Sequence, residues 1–266
     1  MNRNVCLVGL SLLMRPALAQ PQLGKIYHVA NPDQSIAILG ENHGFVPYTV
    51  TLSAELVNMH STDSLPAKFV IFPSKEPRLL TTLIPERAPY SFRYKSPYQI
   101  GLYTGRAPDT SYVYRLPFQL QVGEALPPCS TDNVAVPGNR YPYFFSLPAG
   151  TAVCAARAGI VATIRQDVAK TKGPQANYII VFHEDGSLAW YQNLQKNTAA
   201  VTIGQRVAAG DVLGLVSSEK QPPPLYFDVE YPGQQSPLAV PVVFQVGDQL
   251  FRPHQQVTGR PPATQR

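Results

Sequence analysis

Short runs of alternating apolar and polar residues cover the chain from about residue 26 onward, and proline or glycine separates most runs from the next. Alternation over roughly four to eight residues is typical of a β-strand with one buried face. Between residues 26 and 122 no segment longer than about ten residues repeats its apolar positions with the period of a helix. The pattern therefore predicts an all-β protein.

The first half of the chain has the pattern of an antiparallel β-sandwich of the immunoglobulin-like kind. The predicted strands are Ser35–Leu39, Tyr48–Ala54, Lys68–Phe72, Ser91–Tyr94 and Tyr112–Leu116. We expect this domain to span residues 20–122. Its many tyrosines favour half-buried positions in the sheets, and a face that stacks on sugars is the alternative.

A second β-domain is predicted for residues 139–251, after a linker of turn-forming residues at 123–138 and before a loose, proline-rich tail at 252–266. The predicted strands are Ala152–Ala156, Gly159–Gln166, Tyr178–His183, Leu188–Tyr191, Val212–Val216 and Leu225–Val229. Asp185 and Gly186 lie between two of them, and an Asp-Gly pair favours a tight hairpin turn. Further glycine turns indicate a compact barrel or sandwich.

The first nineteen residues have the pattern of an export signal. A basic start with Arg3 precedes an apolar run from Val5 to Met14, and a small-residue cleavage site precedes Gln20. The prediction is a cleaved signal and a periplasmic or secreted protein, with no membrane span after cleavage. An uncleaved anchor is the alternative, although the apolar run is shorter than the roughly twenty residues that span a bilayer.

Charge and cysteine content narrow the classes of function. Removal of residues 1–19 takes away two arginines and no acidic residue, so the formal net charge falls from +5 to +3. This is a weak charge for nucleic-acid binding, and no basic cluster interleaved with aromatic residues occurs. Cys129 and Cys154 then remain in an oxidising compartment, where a disulfide is the expectation and two buried free thiols are the alternative.

Four collinear blocks of the second domain resemble the lysostaphin-like (LytM-type) zinc endopeptidases of peptidoglycan. Leu147–Val161 is similar to the family's A-P-x-G-T-P-V-x-A-A-x-x-G-x-V run, and Tyr178–Leu194 is similar to V-x-I-x-H-x-D-G-x-x-x-x-Y-x-H-L. Val201–Gly214 follows the pattern V-x-x-G-Q-x-V-x-x-G-x-x-I-G, and Pro224–Asp228 lies where the family has H-L-H-F-E. The resemblance implies a lysostaphin-like fold for this domain.

The residues that the resemblance implies for zinc and catalysis are replaced. The family uses a histidine and an aspartate of the first block, the second histidine of H-L-H, and two further histidines. The corresponding positions here are Arg140, Phe144, Asn193, Pro224 and Tyr226. None of these side chains is a usual zinc ligand. We therefore expect loss of zinc, no catalytic residue, and a pseudo-peptidase rather than an enzyme.

The same five positions are the candidate binding residues of a former-site groove, and their alternative role is to fill the emptied site. The implied function is a non-catalytic scaffold or amidase activator that binds peptidoglycan or a cell-wall hydrolase such as an amidase. Two alternatives stay open. One is an active zinc endopeptidase with unorthodox ligands, taken from Asp132, Asp228, Glu230, Cys129 and Cys154. The other is a wall-binding module that acts through the first sandwich.

Overall fold

The computed structural model describes residues 24–121, 123–131, 141–169, 176–218, 223–234 and 236–253. In these ranges the elements of regular structure are β-strands, which confirms the all-β prediction. The predicted signal at 1–19 and most of the predicted tail lie outside the described residues. Among those described, no helix is long and apolar enough to cross a membrane.

The strands of the first half form two antiparallel sheets, one ordered β1-β2-β6-β4 and one ordered β5-β3-β7, with β8 also paired to β3. Their bounds are β1 Lys25–Ala30, β2 Ile36–Glu41, β3 Tyr48–Val57, β4 Met59–Ser61, β5 Ala67–Ile71, β6 Arg78–Pro85, β7 Ser91–Lys95 and β8 Tyr98–Ile100. The next strand along the chain, β9 Val113–Arg115, belongs to neither sheet.

A shared core joins these two sheets into the predicted sandwich. In β2, Ile36 and Ile38 are buried while Ala37 between them is half-buried, as expected from the alternation of side chains in a strand. Val50 and Leu52 of β3 meet them in the same apolar cluster. A bulge at Leu80 of β6, opposite Ile38 and Leu39 of β2, interrupts the regular pairing of this sheet.

The second half is built on an eight-stranded sheet, which we call the large sheet. Its strand order is β10-β11-β18-β15-β14-β13-β16, with β19 paired to β18. The strand bounds are β10 Cys129–Ser130, β11 Tyr143–Phe145, β12 Ala152–Cys154, β13 Gly159–Arg165, β14 Tyr178–Phe182, β15 Leu188–Gln192, β16 Arg206–Val207, β17 Val212–Leu215, β18 Leu225–Tyr231, β19 Leu238–Ala239, β20 Val243–Val246 and β21 Gln249–Phe251. The described strands do not close into a barrel, so the sandwich alternative is the correct one.

The Asp-Gly hairpin is formed as predicted. Strands β14 and β15 are antiparallel neighbours, and the His183 amide donates to the Ser187 carbonyl at 2.9 Å across the turn. Gly186 has φ +92°, a conformation that costs glycine little and other residues much. The turn therefore depends on the glycine that the sequence supplies.

Strand β9 belongs to the second core, although the pattern assigns it to the first sandwich. It pairs in parallel with β20, and Tyr114, Leu116 and Phe118 are buried with the apolar residues of the large sheet. The domain boundary near residue 122 stays a prediction. However, β9, which precedes this boundary in the sequence, packs with the strands that follow it.

The two halves also contact each other through apolar side chains. Val46, which is 1% exposed, packs with Ile180, Phe182 and Leu188 of the large sheet. Ile100 and Leu102 extend the same cluster, and Gln99 donates to the Gly233 carbonyl at 3.3 Å. The first sandwich thus packs against one face of the large sheet.

Candidate functional site

Strand β18 divides its side chains between the two faces of the large sheet. Leu225, Phe227, Val229 and Tyr231 belong to the second core. The intervening residues, Tyr226, Asp228 and Glu230, therefore point to the opposite face. Trp190 lies directly opposite Asp228 on β15 and points the same way. We call this surface, defined by Trp190, Tyr226, Asp228 and Glu230, the groove face.

Two aromatic rings meet at one end of the groove face. Phe144 and Tyr226 are register partners on β11 and β18, and their ring centroids are 5.5 Å apart in an edge-to-face arrangement. Phe144 reaches this face because its neighbours Tyr143 and Phe145 both point into the core. Tyr226 is 8% exposed, and its hydroxyl donates to Oδ2 of the buried Asp228 at 2.9 Å. The pair covers a buried carboxylate.

Asn193 and Pro224 are joined at the edge of this aromatic pair. Asn193 follows β15 with φ +68°, and its Nδ2 donates to the Pro224 carbonyl oxygen at 2.7 Å. Both residues are half-buried. The structure thus brings together four of the five predicted groove residues. Arg140, the fifth, lies outside the described residues.

Trp190 and Glu230 form a polar contact that sequence analysis did not predict. The indole Nε1 donates to Glu230 Oε1 at 2.8 Å, and Glu230 is 5% exposed. The ring of Tyr178 packs on Trp190 with centroids 5.4 Å apart. The alternation of side chains along β18 places Glu230 on the same face as Tyr226. That Trp190 is its hydrogen-bond partner follows only from the register of β15 against β18.

The first sandwich covers the far end of the groove face. Ile180 of β14 is the register partner of Trp190, and Leu188 is the partner of Glu230, so both share that face. These are the residues against which Val46 packs. The first sandwich therefore covers one end of the face, and the Phe144–Tyr226 pair lies at the other.

His183 is a structural residue of the core, as its place at a strand end suggests. It is fully buried, its Nδ1 lies 2.9 Å from the Ala158 carbonyl oxygen, and Nε2 has no hydrogen-bond partner among the described residues. Since a carbonyl accepts, Nδ1 carries the proton. Burial is the main cause that lowers the pKa of His183 to about 4; the hydrogen bond to Ala158 opposes it, and the nearby Arg157 guanidinium adds to it.

Cys129 and Cys154 are free thiols, which corrects the expected disulfide. Cys129 is the register partner of Phe145 in the large sheet, whereas Cys154 lies in the separate β12–β17 pair. The ring of Phe145 packs on the ring of Phe118. Phe118 in turn forms a backbone β-bridge with Val153, the residue before Cys154. Aromatic packing thus lies between the two strands. Burial raises the pKa of Cys129 to about 12 and also raises that of Cys154.

Possible metal ligands do not converge in the described part of the chain, where no group of three histidine, cysteine, aspartate or glutamate side chains is placed to hold a metal ion. Asp228 and Glu230 share the groove face, but Cys154 lies in a different sheet. Asp132, the remaining acidic candidate for an unorthodox zinc site, lies outside the described residues.

A comparison with protein-family models matches residues 141–238 to peptidase family M23. This part of the chain is an M23 domain. The match covers all described groove residues and the four blocks that resemble lysostaphin-like endopeptidases, so the family resemblance is confirmed for the second half. A comparison with curated proteins gives no match.

Solved structures similar to this chain include other M23 proteins. The catalytic domain of lysostaphin from Staphylococcus simulans is 19% identical, with 56% of this chain and 91% of that chain covered and a TM-score of 0.30. LytM of Ruminococcus gnavus is 18% identical, with 37% of this chain and 41% of that chain covered and a TM-score of 0.28. Csd3 of Helicobacter pylori is 10% identical, with 84% of this chain and 53% of that chain covered and a TM-score of 0.35. The chain thus spans about half or less of the last two proteins, and the M23 assignment rests on the family match.

Proposed function

We propose that the chain is a non-catalytic cell-envelope protein that binds peptidoglycan or a cell-wall hydrolase through its M23 domain. The observation that carries the proposal is the Phe144–Tyr226 pair. In the family these positions belong to a zinc-binding aspartate and a histidine ligand. Here two rings in contact occupy them, and a tyrosine hydroxyl bonds to the buried Asp228 in their place.

The remaining groove positions support the same proposal. Asn193 stands where the family has a histidine for proton transfer, and its amide is engaged with the Pro224 carbonyl. An amide cannot shuttle a proton near neutral pH. A zinc hydrolase needs three protein ligands and an open position for water. The side chains at the family's positions supply neither the ligands nor the base.

Binding is proposed at the half-buried rim of the groove face. Phe144, Asn193 and Pro224 leave part of their surface in solvent. Arg140, which precedes this strand in the sequence, offers a guanidinium for the carboxylate of a peptide stem or a partner protein. Aromatic and arginine side chains are the residue types that most often dominate binding energy at interfaces.

The first experiment tests the absence of catalysis. The protein lacking residues 1–19 is purified, its zinc content is measured, and it is incubated with cross-linked peptidoglycan with and without added zinc. We expect substoichiometric zinc and no released peptides. Stoichiometric zinc together with chelator-sensitive cleavage would contradict the proposal and favour an endopeptidase with unorthodox ligands.

The second experiment tests the groove as the binding surface. Co-sedimentation with purified peptidoglycan and stimulation of a purified amidase are measured for Phe144→Ala and Arg140→Gln. Phe72→Ala is the matched control, because Phe72 is 56% exposed in the first sandwich. We expect roughly tenfold weaker binding or stimulation for the groove variants and no change for the control. Unchanged activity of every variant, or no interaction with either material, would exclude the groove.

A further inference from the structure

A second candidate site lies in the first sandwich, far along the chain from the groove residues. It is a pocket of about 390 Å³ at one end of the β1-β2-β6-β4 sheet. This volume is within the range of roughly 300–1,000 Å³ that is usual for small-molecule sites. The lining residues are Asp33, Gln34, Ser35, Thr82, Ile84, Pro85, Glu86, Arg87, Ala88 and Tyr90.

One wall of the pocket is a turn held by its own hydrogen bonds. Oδ1 of Asp33 accepts from the Ser35 amide at 3.0 Å and from the Ser35 hydroxyl at 2.7 Å. The Asn31 amide donates to the Ser35 carbonyl, and Gln34 takes φ +70° at the tip. These bonds fix the position of the Asp33 carboxylate, while its Oδ2 makes no hydrogen bond within the described chain.

The opposite wall is the segment after β6, and Asn58 holds it in place. The Asn58 carbonyl accepts from the Glu86 amide at 2.9 Å, and Asn58 Oδ1 accepts from Arg87 Nε at 3.0 Å. Asn58 Nδ2 donates to the Pro89 carbonyl at 2.6 Å. Of the guanidinium nitrogens of Arg87, only Nε takes part in these hydrogen bonds. The two Nη groups have no hydrogen-bond partner among the residues that the structure describes.

The pocket holds charges of both signs that do not neutralise one another. Asp33 and Glu86 are acidic and Arg87 is basic, yet none of them forms an ion pair with another across the pocket in the described residues. Glu86 instead contacts His60, with 3.1 Å between Oε1 and Nδ1. The Ser35 hydroxyl and amide hold the pKa of Asp33 below its usual range, so this carboxylate is charged at neutral pH.

We propose that this pocket binds a zwitterionic amino acid or a dipeptide with both termini free. The carboxylate of such a ligand fits the free Nη fork of Arg87, because guanidinium and carboxylate groups form paired hydrogen bonds. Its ammonium group fits Oδ2 of Asp33. Ile84, Pro85 and Tyr90 supply an apolar lining for a small aliphatic side chain. A neutral sugar would form an ion pair with neither group.

This site is independent of the groove on the M23 domain, and the two proposals stand or fall separately. The probe is the dipeptide alanyl-alanine with free termini, in both its L,L and D,D forms, because the opposed charges alone do not select a chirality. Its N-acetyl and C-amide derivatives each remove one charge. Binding to the protein lacking residues 1–19 is followed by titration calorimetry.

The expected result is binding of a free dipeptide that weakens about tenfold or more when either terminus is blocked. Arg87→Gln and Asp33→Asn are expected to weaken it by a similar factor. Asn keeps the Oδ1 acceptor for Ser35, so the turn is preserved. Arg93→Gln is the matched control, because Arg93 is an exposed arginine of the same sandwich that does not line the pocket.

Two outcomes would overturn the inference. One is the absence of binding of both free dipeptides at millimolar concentration by a protein with an unchanged circular dichroism spectrum. The other is binding that is insensitive to the blocked termini and to both pocket substitutions.

Discussion

Burial of His183 links the stability of the protein to pH. The pKa of His183 is about 4 in the folded protein and about 6.5 in an unfolded chain. As the pH falls below 6.5 the unfolded chain binds the proton first. The stability that the neutral imidazole contributes is therefore complete above pH 6.5 and is lost between pH 6.5 and 4, by about 3 kcal/mol in all.

The prediction is checked with His183→Gln, which does not titrate and can still donate to the Ala158 carbonyl. Unfolding free energies from urea titrations at several pH values should fall less steeply with acidification in this variant than in the unchanged protein. His60→Gln is the control, since the side chain of His60 is 53% exposed. An acid dependence that is the same in all three proteins would show that His183 does not carry it.

Residue positions on the groove face were predictable from sequence, whereas their contacts were not. The spacing of the family blocks identifies Phe144, Asn193, Pro224 and Tyr226, and the structure brings them together. The bond between Trp190 and Glu230 depends on how β15 is aligned with β18. Register is set by the packing of whole strands, so it does not follow from either segment alone.

At the level of elements, a polar network ties the segment before β9 to the β14–β15 hairpin. Arg157 Nη1 donates to Asp185 Oδ2 at 2.6 Å, and the guanidinium lies 3.9 Å from the ring centroid of Tyr112. The Tyr231 hydroxyl donates to the same Asp185 oxygen at 2.8 Å. Burial raises the pKa of Asp185, but bonds from Ser187, Tyr231 and Arg157 outweigh it, so the net pKa is lowered.

Removal of the cation from this network should destabilise the second domain. Asp185 and Arg157 are 24% and 13% exposed, so Arg157→Met leaves a largely buried carboxylate without its partner, at a cost of about 2 kcal/mol. Arg157→Lys should restore part of the loss, because lysine keeps the charge but not the planar stacking. Chemical unfolding measures both, with the exposed Arg206→Met as control. Equal stability of Arg157→Met and the control would exclude a stabilising network.

The strands that sequence analysis missed or misassigned have identifiable causes. β1 lacks strict alternation of burial because most of its residues are exposed. β6 lacks a regular alternation because it carries a bulge at Leu80, opposite Ile38 and Leu39 of β2. β9 follows the first sandwich closely along the chain, but its partner β20 is more than a hundred residues away. No local pattern reports such a pairing.

At the level of the whole molecule, the first sandwich packs on the same face of the large sheet that carries the groove residues of the M23 domain. The loop that carries Val46 reaches the large sheet, and Phe45 packs so closely on Gly204 that a Cβ atom there would lie 2.6 Å from the ring. A side chain at 204 would therefore displace the loop. The first sandwich covers one end of the groove face, so changes at this contact should affect the rest of that face.

A carboxylate placed in this contact should uncouple the two halves. Val46→Asp puts a charge among Ile180, Phe182 and Leu188, with an expected loss of about 3 kcal/mol. Calorimetric unfolding should separate into two transitions, and proteases should cleave more readily between residues 103 and 112. Val57→Asp is the matched control, because Val57 is 55% exposed on the same sandwich, and it should change stability by about 0.5 kcal/mol or less.

The same pair of variants relates the contact to the proposed groove function. If the first sandwich only bounds the groove, Val46→Asp should leave peptidoglycan or amidase binding in place while unfolding splits into two steps. If it supplies part of the binding surface, binding should fall together with the coupling, and Val57→Asp should leave both unchanged. A Val46→Asp protein that unfolds in one step with unaltered stability would instead show that the halves are not coupled through this cluster. Val46 packs directly on the large sheet, so its substitution is a direct probe of that coupling.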